Sequence, residues 1–432
     1  MRLIKPVAIA LKGKGSTALV KRIQSIGKRY GLTGAKMDRS LEQLSRILHQ
    51  FDCSATLPIT AVALARNGAI IQKYQVQGIE FAIHGYRHID HSQLSRAEQE
   101  SHFRSASRIF EEHGIKFKGF RCPYLRWNQE TLDALEQTNF SYDSSSSIVW
   151  DIDQKHYTES YSRALAFYGA QPASEYLAVP SIDSEKDLVR IPYCLPDDEA
   201  LVERLLWNSP AEMNAVWPEM FREIHRQGEL FNLGLHPERT AACAGGLTAT
   251  LREVNAAAAA VWRTCLRDIA AWWQARYKAE LKIVDGSDET LHLTVQGPTG
   301  TTLLLRSVEA KTTTMSWFDG YHRAAELPCV IRSSKRPTIG VSPDSSPHLI
   351  SFLKQQGFVV EASAKVESFA FYLDRKTFAP EDERPLLTQI EASNFPLVRL
   401  GRWPDGAKSA FCVTGDLDAL TIWDYGLRFL GR

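Results

Sequence analysis

The chain has 432 residues, 44% hydrophobic and 23% charged, with 51 Lys and Arg against 50 Asp and Glu. At roughly 100–200 residues per domain this length predicts two or three folding units, or one large barrel with an addition, and it excludes a disordered chain or a mini-protein. A net charge of +1 leaves no electrostatic footprint for nucleic acid or an anionic membrane, and no stretch reaches the roughly 18 uninterrupted apolar residues of a bilayer span.

The first apolar run is broken at Lys5 and Lys12, so no secretory leader is expected. The cysteines, Cys53, Cys122, Cys194, Cys243, Cys265, Cys329 and Cys412, are odd in number, scattered, and never spaced Cys-x2-Cys. Free thiols in a reducing compartment, and hence a cytoplasmic protein, are the expectation.

In chain order, a short strand is predicted at Pro6–Leu11 and a basic helix over about Ser16–Tyr30. A clearer helix follows from Asp38 to Phe51, with Asp38 as its cap and Leu41, Leu44, Ile47, Leu48 and Phe51 on one face. Ser54–Thr60 reads as a strand, then a helix to about Gln77, then a strand from Gly78 to His84. Ser95–His113 and Asn128–Gln137 read as helices around a strand end at Gly119–Arg121. Leu230–Leu235 is an apolar run delivering His236-Pro237, and a long helix is predicted over about Thr248–Lys278. This alternation predicts a parallel sheet or an α/β barrel, in which chemistry sits at the C-terminal strand ends.

At Asp285-Gly-Ser-Asp the composition changes. Leu291–Val295 and Thr301–Leu305, joined by Gly-Pro-Thr-Gly, read as a β-hairpin; Pro337–Val341, Leu349–Gln356 and Phe358–Glu361 read as a β-α-β unit. This predicts a smaller, β-rich mixed α/β domain over 286–398. Trp403-Pro-Asp-Gly then signals a turn, and Ala410–Thr414 a buried strand ending in Gly415-Asp-Leu-Asp418.

Four strand ends carry polar groups. His84-Gly-Tyr-Arg-His88 places two imidazoles four apart, able to share one metal ion, zinc most often; His91 offers a competing all-histidine set, and two unrelated histidines are the bland alternative. Arg121 in Gly119-Phe-Arg-Cys-Pro-Tyr124 alone reads as a structural ion-pair partner. Asp416 and Asp418, two apart on one strand face, suit a metal ligand and a base, or a solvated acidic turn. His236 alone is only a histidine at a strand end.

As an ordered set these features resemble the NodB-type polysaccharide deacetylases, carbohydrate esterase family 4. The resemblance spans about 38–280, and Phe51–Pro58 is similar to that family's second strand. The family's opening aspartate strand is absent from residues 1–37, which contain no acid; Trp403–Asp418 resembles it instead. The resemblance therefore implies a distorted (β/α)7-type barrel, circularly permuted: its main body over residues 1–285, an accessory domain over 286–398, and the barrel's first strand and helix at 399–432.

It further implies Asp418, His84 and His88 as metal ligands, Asp416 as general base, and His236 as general acid. Arg121 orients Asp416, and the backbone N–H of Tyr124 binds the oxyanion. The ion expected is divalent, Zn2+ or else Co2+, Ni2+ or Mn2+. The substrate implied is an N-acetylated sugar or glycan, such as an exopolysaccharide precursor, hydrolysed to acetate and a free amine. The D-x-D spacing leaves open which aspartate is base and which is ligand. Asp90 and His91 beside the metal motif, Tyr142–Ser146 as groove lining, and Glu238 and Arg239 as supports of His236 are further candidates. Two other functions remain: a small-molecule ureide or formamide hydrolase on the same barrel, and a non-catalytic glycan-binding protein.

Overall fold

The computed structural model describes residues 27, 29–151, 157–182, 187–205 and 210–427. The strand expected at Pro6–Leu11 and most of the helix expected over Ser16–Tyr30 lie outside the described residues. The strands of the first two-thirds are β1 Ala55–Ile59, β2 Glu80–Ile83, β3 Gly119–Phe120, β4 Tyr142–Asp143, β5 Ser147–Val149, β6 Gln171–Pro172, β7 Ser181–Ile182, β8 Val189–Arg190, β9 Tyr193–Leu195, β10 Leu230–Gly234 and β11 Val261–Arg263. Every residue of β1, β2 and β10 is buried, as parallel strands covered on both faces require.

The helices between them bury one face each. Helix Ala35–His49 turns Met37, Leu41, Leu44 and Leu48 inward; helix Arg96–Glu112 opens with a capping box between Ser95 and Glu98. Asn128 caps helix Gln129–Leu135 through the backbone N–H of Thr131.

The accessory region holds β12 Glu280–Asp285, β13 Thr290–Gln296, β14 Leu303–Arg306, β15 Glu309–Ala310, β16 Thr314–Ser316, β17 His322–Ala324, β18 Cys329–Arg332, β19 Arg336–Val341, β20 Val360–Ala362, β21 Phe369–Leu373 and β22 Leu397–Leu400. They form sheets in the orders β12-β13-β18-β15, β16-β17-β14-β22 and β20-β19-β21, the last parallel. A shared core that includes Trp273, Ile339, Leu353, Leu387 and Trp403 joins this region to helix Leu266–Tyr277.

The last strand, β23 Ser409–Thr414, leaves this region and enters the barrel sheet. It lies parallel between β10 and β1, pairing Leu230–Gly234 with Ala410–Thr414 on one side and Ala55 and Thr56 with Val413 and Thr414 on the other. From β1 the parallel path runs through β2 and β3 to the nearly continuous β4–β5, then β8–β9 and back to β10. That makes a distorted ring of seven staves, and β23 is the one stave out of chain order. A side chain at Gly415 would place its Cβ 1.8 Å from the Leu235 carbonyl oxygen, so this crossing needs glycine.

Several expectations change. Asp38 does not cap its helix, which begins three residues earlier; it lies in the first turn and receives Lys73 and Tyr74. The long helix over Thr248–Lys278 is two, Thr240–Ala256 and Leu266–Tyr277, because Val261-Trp-Arg pairs with Ser409–Phe411 between them. The expected hairpin does not form: β13 pairs with β12 and β18, while β14 pairs with β17 and β22. The hairpin turn is instead at Gly286–Glu289, where Asp288 and Glu289 both take positive φ. Strand β12 pairs with β13 and β22 with β14, so both belong to the smaller sheets.

Candidate active site

The C-terminal ends of β2, β3, β10 and β23 bring the candidate residues together. His84 is fully buried, and its Nδ1–H donates to the Arg121 carbonyl oxygen at 2.9 Å. That bond fixes the tautomer and leaves Nε2 as a lone-pair donor. Nε2 has no hydrogen-bond partner among the described residues, yet it lies 3.4 Å from Asp418 Oδ1 and 3.6 Å from Asp416 Oδ2. His88 Nε2 lies 3.1 Å from the same Asp418 oxygen. The ligand atoms of His84, His88 and Asp418 all fall within 4.8 Å of one another. A buried imidazole lone pair aimed at carboxylates is repelled unless a cation stands between, and two imidazoles with one carboxylate are a donor set suited to zinc.

Asp416 is fixed by Arg121, whose Nη1 donates to its Oδ1 at 2.9 Å. The guanidinium is fully buried over the Tyr193 ring. Its remaining bonds run to the Ser144 carbonyl and to Ser144 Oγ and Thr414 Oγ1, each at 3.0 Å. Arg121 therefore has almost no freedom, and neither does the carboxylate it holds. Tyr124 and Leu125 follow with φ of 61° and 56°, a strained left-handed pair at the site edge. The Tyr124 ring stands edge-on to His88 at 4.3 Å.

His236 follows β10, the neighbour of β23. Its Nδ1–H donates to Asp198 Oδ1 at 2.8 Å, and Arg239 Nη1 donates to Asp198 Oδ2 at 3.1 Å. Burial opposes the imidazolium, but the charge and hydrogen bond of Asp198 outweigh it and His236 is pushed up to about 10. Burial likewise opposes the Asp198 charge, and His236 and Arg239 overcome it, holding that carboxyl below its ordinary range.

Residues 33–142 match the polysaccharide deacetylase family. The match includes His84, His88, Arg121 and Tyr124; Asp198, His236, Asp416 and Asp418 lie beyond it. Among solved structures, a probable polysaccharide deacetylase from Pseudomonas aeruginosa PAO1 is 21% identical over 54% of this chain and 72% of that chain, with a TM-score of 0.42. The PuuE allantoinase is 20% identical over 55% of this chain and 72% of that chain, with a TM-score of 0.44. No curated protein matches the chain.

Around the matched segment the secondary candidates engage neighbouring side chains and backbone. Asp90 caps the turn at His91–Gln93 and pairs with Arg126 at 2.9 Å. His91 is fully buried against Phe103, Phe120 and His102, and burial lowers it to about 3. Tyr142–Ser145 are buried, with Tyr142 donating to Glu80 and Ser145 Oγ accepting from the Cys122 N–H at 2.8 Å, whereas Ser146 lines a cavity with Trp127 and Arg190. Arg239 is bonded to Asp198 and Glu238 to Arg29 and Tyr30, so both act on His236 by charge rather than by direct contact. Sequence reading missed Asp198 altogether. Its one signal was the Asp197-Asp198 pair after Leu195-Pro196, a strand-end position like those of the other candidates.

Among the described residues no helix is long and apolar enough to cross a membrane. All seven cysteines are free and buried.

Proposed function

We propose that the chain is a metal-dependent hydrolase that removes acetyl groups from an N-acetylated amino sugar in a glycan or glycan precursor. The supporting observation is the meeting of the buried His84 and His88 with the half-buried Asp418 beside a second carboxylate, Asp416, that Arg121 holds in place. His84, His88 and Asp418 are the residues that would hold the ion. A divalent ion of the zinc type supplies Lewis acidity toward the acetyl carbonyl and acidifies water.

The chain's own groups do the rest. Asp416 takes the proton of the attacking water as its oxygen bonds to the acetyl carbon, and Arg121 keeps the carboxylate aimed. The Tyr124 N–H steadies the oxyanion. His236, protonated through its pairing with Asp198, donates a proton to the nitrogen as the C–N bond breaks. The products are acetate and a free amino sugar.

In this reading the barrel is circularly permuted: with β23 placed first, its staves follow one another in chain order. The accessory region is then a domain inserted before the barrel's first strand.

The test is acetate release from a panel of N-acetylated oligosaccharides, with small ureides and formamides alongside, before and after chelation. The proposal expects acetate from sugars, lost on chelation and restored by Zn2+. Turnover of the ureides or formamides alone would reassign the chain to small-molecule amide hydrolysis, and no turnover with metal present would point to glycan binding.

A further inference from the structure

The turn that carries His236 is backed by a run of alternating charge. Arg239, bonded to Asp198 through Nη1, reaches Glu203 Oε1 through Nη2 at 2.7 Å. Arg29, outside the barrel strands and ahead of the family match, ends the run. Its Nη1 lies 3.3 Å from the same Glu203 oxygen, its Nε donates to Glu238 Oε1 at 3.1 Å, and its Nη2 also meets Glu238. Tyr30 donates to that Glu238 oxygen at 3.1 Å and packs its ring against Tyr425. The Glu238 side chain is 2% exposed and that of Arg29 16%, so solvent screens these pairs weakly.

We infer that Arg29 is a positioning residue for the proton donor: by neutralising Glu203 and Glu238 it leaves Arg239 on Asp198, and so limits how tightly His236 holds its proton. The inference rests on the acid role proposed for His236. The groups acting on that imidazole are Asp198, Glu238 and Asp197, which favour its charged form, and Arg239, which opposes it. Asp197, beside Asp198, is tied to Tyr193 and the Ala200 N–H. Removing Arg29 acts on this set in one direction. It strips a positive charge from the region and frees Glu203 and Glu238 to draw Arg239 away from Asp198. Both changes bind the proton on His236 more tightly, which weakens it as an acid. A purely structural Arg29, tying its segment to the turn, would leave that titration alone.

The experiment follows the His236 imidazole by NMR across pH in the full-length, zinc-loaded protein, with the pH profile of kcat/KM for an N-acetylated oligosaccharide measured in parallel. Arg29→Gln is expected to raise the His236 pKa by about 0.5–1 unit and to move the alkaline limb with it, and Arg29→Lys to restore both. Glu238→Gln, which removes a negative charge, is expected to move them the opposite way. An Arg29→Gln protein with unshifted His236, whatever its melting temperature, overturns the inference, as do shifts of the same sign in Arg29→Gln and Glu238→Gln. If no sugar is deacetylated while His236 still shifts as described, the functional reading falls and the electrostatic link stands.

Discussion

Arg121 Nη1 donates to Asp416 Oδ1 at 2.9 Å across 295 positions of sequence. The bond exists because β23 is inserted between β10 and β1, which sets the chain's last buried strand within reach of the end of β3. It gives the fold and the proposed chemistry a common element: whatever displaces β23 also dismantles the site.

Arg121→Lys is expected to keep a cation near Asp416 but lose the fork that also engages Ser144 and Thr414. The expected result is a fall in kcat of about a hundredfold, with zinc content unchanged by elemental analysis. Arg121→Met removes a fully buried guanidinium and leaves the mostly buried Asp416 carboxylate without its partner, and denaturant unfolding is expected to show a loss of about 3–5 kcal/mol.

Gly415→Ala tests the crossing itself. Its Cβ would meet the Leu235 carbonyl and the His236 backbone nitrogen, so β10 and β23 must separate. Thermal unfolding is expected to show a loss of about 1–3 kcal/mol, together with loss of deacetylation; a fully stable, active Gly415→Ala protein would mean that the strands can part freely.

The pH dependence of stability carries the signature of the His236–Asp198 pair. His236 is raised in the folded state, so its contribution is complete below its unfolded pKa of about 6.5 and is lost as pH rises through about 10. Asp198 is depressed, so its contribution is present above about 3.9 and is lost as pH falls through its lowered value. Asp198→Asn is therefore expected to cost most near neutrality and progressively less toward pH 10 and toward strong acid. Urea midpoints of wild type and variant across pH measure this difference, and a cost independent of pH would contradict it.

His84→Ala is expected to weaken zinc binding by at least about a hundredfold in chelator competition, because it removes a buried nitrogen whose tautomer Arg121 sets. Asp90→Asn, by contrast, is expected to leave zinc affinity unchanged while loosening the turn it caps and the Arg126 pair.

Much of this was legible in the sequence where local chemistry and tertiary placement agree. The buried runs at β1, β2 and β10 and the capped helix after Ser95 are strong local signals, and the polar residues at strand ends follow from them. The failures have the opposite character. Val261-Trp-Arg is preceded by alanines that favour helix, and only its long-range pairing with Ser409–Phe411 makes it a strand. Gly-Pro-Thr-Gly is a sound turn between strands that pair in different sheets, which no local pattern reveals. Asp198 was missed because its partner, His236, is 38 positions away. Arg29 joins its two glutamates over still longer separations, so its ion pairs left no trace in sequence spacing.

The most direct measurement of the central claim compares acetate release by wild type and Asp416→Asn on N-acetylated oligosaccharides, with zinc content determined on the same samples. The account predicts that Asp416→Asn keeps its zinc and loses at least about a hundredfold in turnover, since only the proton acceptor is removed. Equal turnover in the two proteins, each loaded with zinc, would contradict it.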